Sequence, residues 1–237
     1  MLYYYLSTLI EDYSVLNIVR YLTFRGGASL ITALLLCFII SPLIIRWLKS
    51  KQIKGQPIRD DGPEWHLKIK RGTPTMGGLI ILCSLVVSSL LWADLKNIYI
   101  WIVLYITCGF GVIGFLDDYL KVVKKYPRGL IARYKMAGQI SLGLIVGIIL
   151  INYPDSSQFV TSISIPFVAN GTIDVSWFYI PLVILVITGT SNAVNLTDGL
   201  DGLATGLVAI ATLVFGAIAY ATGRLDYSDY LNIIYLP

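Results

Sequence analysis

Charge is scarce in this sequence. Of its 237 residues, 18 are Lys or Arg and 14 are Asp or Glu, 14% in all. A soluble domain carries about 25%. The shortage excludes a water-soluble globular domain, and 56% hydrophobic residues exclude a disordered chain. Cysteine is rarer still. Cys37, Cys83 and Cys108 lie far apart inside apolar runs, which leaves no disulfide framework and no thiolate cluster. A single histidine, His66, cannot build a multi-histidine zinc site. There is no Walker A string and no nucleophile elbow. One Gly-x-Gly-x-x-Gly match, Gly109–Gly114, falls inside an apolar run with no strand before it, so helix packing explains it better than a dinucleotide. The first 25 residues lack a basic start and a small-residue cleavage site, and Glu11 and Asp12 interrupt them. They are not an ordinary signal peptide, and their Tyr and Leu content suggests an interfacial helix.

What is present is apolar length. A membrane span needs roughly 20 apolar residues. Six stretches without charge meet that need: Gly26–Ile45, Gly72–Ala93, Asn97–Leu116, Met136–Tyr153, Val175–Val194 and Gly202–Gly223. Sixteen Tyr and five Trp suit the two interfaces such a protein must line. A seventh uncharged stretch, Ser156–Ile173, alternates in polarity and ends near Asn170-Gly171, which predicts a small β-hairpin outside the membrane. The expected fold is an all-α polytopic bundle of six membrane helices, read as one domain over residues 1–237.

The basic residues are one-sided. Arg46, Lys49, Lys51, Lys54, Arg59, Lys68, Lys70 and Arg71 lie between spans one and two. Lys121, Lys124, Lys125, Arg128, Arg133 and Lys135 lie between spans three and four. Together these are 14 of the 18 Lys and Arg. The positive-inside rule places both loops in the cytoplasm and both chain ends outside.

Three polar features gather on that cytoplasmic side. Gly72-Thr73-Pro74-Thr75-Met76-Gly77-Gly78 opens span two, where Pro fits a helix start and free N–H groups favour an anion. Close helix packing by the Gly-Gly pair explains it equally well. Asp117-Asp118 closes span three, facing the negative pole of the helix and bordering hydrocarbon. A cation must compensate: Lys121, one turn on, or a divalent metal such as Mg²⁺. Asn192–Ala204 carries more Asn, Asp and Gly than a turn between two spans requires.

Those three segments together resemble the phospho-N-acetylmuramoyl-pentapeptide transferase family. Tyr21–Arg25, Asp61–Glu64, Gly129–Arg133 and Tyr230–Leu236 agree with it, so the likeness covers essentially the whole chain. The family makes the first lipid intermediate of bacterial peptidoglycan. The resemblance implies transfer of phospho-MurNAc-pentapeptide from a UDP-linked donor to undecaprenyl phosphate, with release of UMP and a requirement for Mg²⁺. It implies a multi-pass protein of the cytoplasmic (inner) membrane, with no nucleic-acid partner and room for a homodimer. Residue by residue, it makes Asp117 and Asp118 the paired acids near metal and diphosphate, one acting as base on the lipid phosphate. It assigns Asp198, Gly199, Leu200 and Asp201 to the segment that holds the uridine end of the donor and lines the cleft, and Asn195 matches the substrate-binding polar residue just before it. Lys70, Thr75 and Lys135 match cleft positions facing nucleotide or phosphates.

The family has ten helices, and the six spans fit the first six. A third acid and a His-rich motif are expected beyond the sixth, so residues 1–237 alone are expected to turn over weakly or not at all. The competing expectations are a polyprenyl-phosphate GlcNAc-1-phosphate transferase, an inactive remnant and a transporter. Acids clustered at cytoplasmic helix ends, rather than at mid-membrane, argue against the transporter.

Overall fold

The computed structural model describes residues 1–51, 75–124, 126, 129–153, 161–164, 172–198, 202–233 and 235–236. In chain order these form α1 (Leu2–Thr8), a 3₁₀ helix (Ser14–Arg20), α2 (Leu22–Lys51), α3 (Gly78–Trp92), α4 (Ile98–Val122) and α5 (Ala132–Asn152). Strands β1 (Ser162–Ser164) and β2 (Thr172–Asp174) follow, then a 3₁₀ turn (Ser176–Phe178), α6 (Tyr179–Thr197), α7 (Leu203–Thr222) and α8 (Leu225–Leu231). The chain divides into two compact units, Met1–Lys135 and Met136–Pro237.

Among the described residues five helices are long and apolar enough to cross a membrane: Leu22–Ser50, Ile98–Val122, Ala132–Asn152, Ser176–Thr197 and Leu203–Thr222. Their outer faces stay apolar; Phe38 is 76% exposed and Leu213 75%. A soluble protein does not carry such surface, so the chain is a polytopic helical membrane protein. The second expected span is shorter than the uncharged stretch that announced it. α3 has 15 residues, a rise of about 22 Å against the roughly 30 Å of a hydrocarbon core. It begins only at Gly78 because Met76 has φ 74° and cannot belong to a right-handed helix. The expected hairpin is present: Ser162 pairs with Asp174 and Ser164 with Thr172, antiparallel. Its Asn170-Gly171 turn lies outside the described residues. The N-terminal segment is helical in two pieces, α1 and the 3₁₀ helix, rather than one.

In the first unit, α2 packs on α3. Trp92 Nε1 donates to Thr32 Oγ1 at 2.9 Å, and the Trp92 ring meets Phe24 edge-on at 6.1 Å. α1 is tied to the end of α3 and to the connection that follows it. The Met1 amino group donates to Leu90 O at 2.6 Å, Tyr4 Oη donates to Asp94, and Lys96 N donates to Asp94 Oδ1 at 3.0 Å. Asn97 Oδ1 then accepts from Tyr99 N at 2.8 Å and caps α4.

In the second unit, Gln139, Gly143, Val146 and Gly147 form the buried stripe of α5. The spacing is helical, and the stripe faces α6. A Cβ on Gly143 would sit 3.0 Å from Ile184 Cα, and one on Gly147 would sit 3.4 Å from Ile180. The small-residue pair Gly143/Gly147 is therefore a packing device, as its sequence spacing suggests.

Two outcomes follow from this packing. Gly143→Leu forces α5 off α6 and lowers stability by about 1–3 kcal/mol, read as a lower Tm in detergent; Gly189→Ala, with nothing within 4 Å, leaves Tm unchanged. The α1 tie responds to acid. Partial burial opposes ionisation of Asp94, but the Tyr4 hydroxyl, the Lys96 N–H and the charges of Arg25 and Lys96 outweigh it and hold the carboxyl below its usual range. A depressed carboxyl stabilises fully above its unfolded pKa of about 3.9 and loses that contribution as pH falls through the lower folded value. Hydrogen exchange of residues 2–8 should therefore accelerate in that acid window, and Asp94→Asn should remove the pH dependence.

Candidate functional site

Asp117 and Asp118 project from the last turns of α4. The uncharged run stops at Leu116, but the helix continues to Val122, so both acids are held on rigid backbone. Carboxylates there oppose the helix dipole and border the apolar layer. The protein compensates each one differently.

Asp117 is fully engaged by the chain. Lys121 Nζ lies 2.6 Å from Oδ2, the i,i+4 pair that a continuing helix permits. Leu130 N donates to Oδ1 at 2.7 Å. Asp118 has one partner among the described residues: Thr75 Oγ1, which donates to Oδ2 at 3.2 Å. Among the described residues none is bonded to its Oδ1.

The two acids also face different hollows, as consecutive helix positions about 100° apart must. Asp117 lines a hollow of about 1060 Å³ with Lys121, Tyr126, Gly129, Tyr134 and Lys135. Its polar wall is cationic and phenolic, suited to phosphates. Asp118 sits in the lining of a groove of about 340 Å³ otherwise made of Met76, Gly78, Leu82, Phe110 and Gly114 among others. That groove separates the glycines of the Gly109–Gly114 run. A Cβ on Gly111 would lie 2.6 Å from Leu82 Cδ2, so this glycine seats a neighbour, whereas Gly114 meets nothing within 4 Å.

Several sequence-derived site residues come together here. Thr75 touches Asp118, and Lys135, in the first turn of α5, shares the hollow of Asp117. Asn195 and Asp198 belong to the second unit, at the exposed end of α6. Gly202 then starts α7 with φ 85°, a left-handed conformation that glycine adopts without cost. Lys70, Gly199, Leu200 and Asp201 lie outside the described residues.

Three contributors were not singled out from sequence. Met76 is a non-glycine residue at positive φ beside Thr75, a strained position of the kind that clusters at functional sites. Gly129 has φ 60° and leaves no room for a Cβ between Asp117 and Lys121. Gln139 is 1% exposed inside α5. Its Oε1 accepts from Asn192 Nδ2 at 2.9 Å and its Nε2 donates to Ser191 Oγ at 3.3 Å. This bridge fixes the end of α6 that carries Asn195 and Asp198. An amide inside an otherwise apolar span is the signal that could have found it.

Among the described residues no three His, Cys, Asp or Glu converge on one point. A cage built wholly from these side chains is therefore not what this site offers. Mg²⁺ commonly binds through one or two carboxylates plus substrate phosphates, and the open oxygen of Asp118 fits that pattern.

Comparison with known proteins matches residues 100–236 to the family described as glycosyl transferase family 4. The chain belongs to that family. Residues 70–82, which include Lys70, Thr75 and Met76, match phospho-N-acetylmuramoyl-pentapeptide-transferase signature 1. A phospho-N-acetylmuramoyl-pentapeptide-transferase of Maricaulis maris (strain MCS10) is 46% identical over 240 residues, covering 99% of this chain and 65% of the relative. Proteins of the same name from Citrifermentans bemidjiense and from Geobacter sp. (strain M21) are each 51% identical over 237 residues, covering all of this chain and 65% of theirs. The chain thus spans 65% of the length of these relatives.

The buried amide bridge makes a direct prediction. Gln139→Leu removes one of the two acceptors of Asn192 Nδ2, the other being Thr188 O, and lowers stability by about 1 kcal/mol, seen as a lower Tm. Faster hydrogen exchange should follow in residues 192–198.

Proposed function

We propose that this protein transfers phospho-MurNAc-pentapeptide from UDP-MurNAc-pentapeptide to undecaprenyl phosphate, forming the lipid-linked product and UMP. The observation that carries this reading is the pair Asp117-Asp118, held on one rigid helix end with Lys121 and Lys135 beside it. Phosphoryl transfer asks a protein mainly for positioning and charge stabilisation. An oxygen of the lipid phosphate attacks the donor phosphorus that bears the sugar. A P–O bond forms to the lipid phosphate, and the P–O bond to UMP breaks, so UMP departs with the electron pair. The attacking phosphate is already anionic, so no strong base is required. Lys135, with Lys70 as the resemblance assigns it, offsets the negative charge that the two substrates bring together. Thr75 holds one oxygen of Asp118 and leaves the other for the reaction centre. Mg²⁺, bound through Asp118, would neutralise the diphosphate during transfer. Asn195, Asp198, Gly199, Leu200 and Asp201 take the uridine end in this reading.

The charge asymmetry of the loops supports a site on the cytoplasmic face of the bacterial inner membrane, with the N-terminus outside. The name of the relatives supports the peptidoglycan donor over UDP-GlcNAc.

An assay of lipid-linked product in membranes, with residues 1–237 carried in a chain of the relatives' full length, tests the proposal. UDP-MurNAc-pentapeptide is turned over and UDP-GlcNAc is not, and Asp118→Asn lowers turnover on the order of a hundredfold or more. Exclusive use of UDP-GlcNAc, or near-full activity of Asp118→Asn, would overturn it.

A further inference from the structure

The second unit carries an uncovered apolar surface between α5 and α6. The two strands there pair Ile163 with Ile173 and Ser162 with Asp174. Directly paired residues share one face of a sheet, and neighbours along a strand take opposite faces. Ile163 and Ile173 therefore make one face, and Ser162 and Asp174 lie on the other. Both isoleucines are exposed. A hairpin standing free in water gains nothing from an apolar face that it leaves uncovered.

The chain then turns sharply into α6. Val175 N donates to Thr161 O at 3.0 Å, and Asp174 closes the turn. Its Oδ1 accepts from Thr161 Oγ1 and from Ser176 N at 2.9 Å, and its Oδ2 accepts from Ser176 Oγ at 3.0 Å. Ser176 has φ 40°, a conformation that persists only under such support. The same bonds, that from Thr161 first, hold the Asp174 carboxyl below its usual range. It is charged at neutral pH and marks the wet side of the hairpin. The next two residues are Trp177, 95% exposed, and Phe178, 72% exposed. They open the apolar span Ser176–Thr197, and exposed Leu185 and Val186 continue that surface along it. Gly147 packs on Ile180 and Gly143 on Ile184, so α5 ends beside the start of α6. The exposed Tyr153 follows there.

We propose that this corner is a lipid anchor. The Ile163/Ile173 face and the Trp177–Phe178 pair are seated among phospholipids in the membrane–water interface, at the end of α6 opposite Asn195 and Asp198. Phospholipid is the occupant because the surface is continuous with the flank of a membrane span. Trp at a span boundary prefers the headgroup level, and the hairpin's charged residue lies on its other face. The anchor fixes the depth of α6 in the bilayer. It rests on the chain being a membrane protein and is independent of the group transferred.

Fluorescence quenching tests it, with residues 1–237 carried in a chain of the relatives' full length. The protein is placed in phosphatidylcholine vesicles brominated either near the headgroup or near the end of the acyl chain. Subtracting the emission of Trp177→Phe isolates Trp177. That emission should be blue-shifted, protected from aqueous iodide, and quenched more by bromine near the headgroup than by bromine at the chain end. Two variants in the Trp177→Phe background place the reporter on either hairpin face. Ile173→Trp should behave as Trp177 does, and Ser162→Trp should be quenched by iodide and not by lipid bromine. Absence of lipid quenching at Trp177 overturns the anchor: quenching by iodide then puts the residue in water, and quenching by neither puts it under protein. If Ile173→Trp and Ser162→Trp respond alike, the two-faced hairpin is wrong.

Discussion

A carboxylate at the end of an apolar helix is unfavourable on two counts. It faces the partial negative charge of the last carbonyls, and it borders a medium that cannot solvate it. The first unit is organised around meeting that cost at Asp117. An ammonium one helical turn away and a backbone N–H from the next loop both converge on it. Breaking one partner of such a group leaves the other uncompensated, which is why the arrangement holds together as a unit. Leu130, just before α5, is tied back to α4 through Asp117, and Lys135 lines the same hollow. The neighbouring Asp118 has one partner among the described residues, the Thr75 hydroxyl.

The rest of the fold shows how a membrane protein packs without a hydrophobic drive between helices. Lipid is as apolar as leucine, so close approach and polar contacts must do the work. Gly143 and Gly147 admit Ile184 and Ile180, and Gly111 admits Leu82. Gln139 binds Asn192 and Ser191 where the same two helices, α5 and α6, near the candidate uridine-binding segment. Glycine has two physically distinct uses among the described residues, close packing at Gly143 and a left-handed turn at Gly202, and Gly129 combines them.

Much of this was legible in the sequence. Runs without charge predicted the long helices, because a span needs length and apolarity and little else. The alternation in Ser156–Ile173 predicted the hairpin, and the i,i+4 spacing offered Lys121, beside a divalent metal, as the cation that compensates Asp117; the structure shows the Lys121 pair. The misses have a common cause. Helix length fails for α3 because one residue, Met76, takes a backbone conformation that its side chain does not advertise. Leu130 acts through its backbone N–H, which every residue but proline has. Gly129 matters through the space around it, which depends on residues 8 and 12 positions earlier in the chain. Composition and spacing report side chains and periods; they do not report which backbone group finds a distant carboxylate.

The central claim is that Asp118 is the open carboxylate of the site, and metal binding tests it most directly. Mn²⁺ can replace Mg²⁺ as a paramagnetic probe, titrated against the protein with UDP-MurNAc-pentapeptide present and followed by electron paramagnetic resonance. The account predicts donor-dependent Mn²⁺ binding to the wild-type protein and its loss in Asp118→Asn. Unchanged Mn²⁺ binding in Asp118→Asn would contradict it.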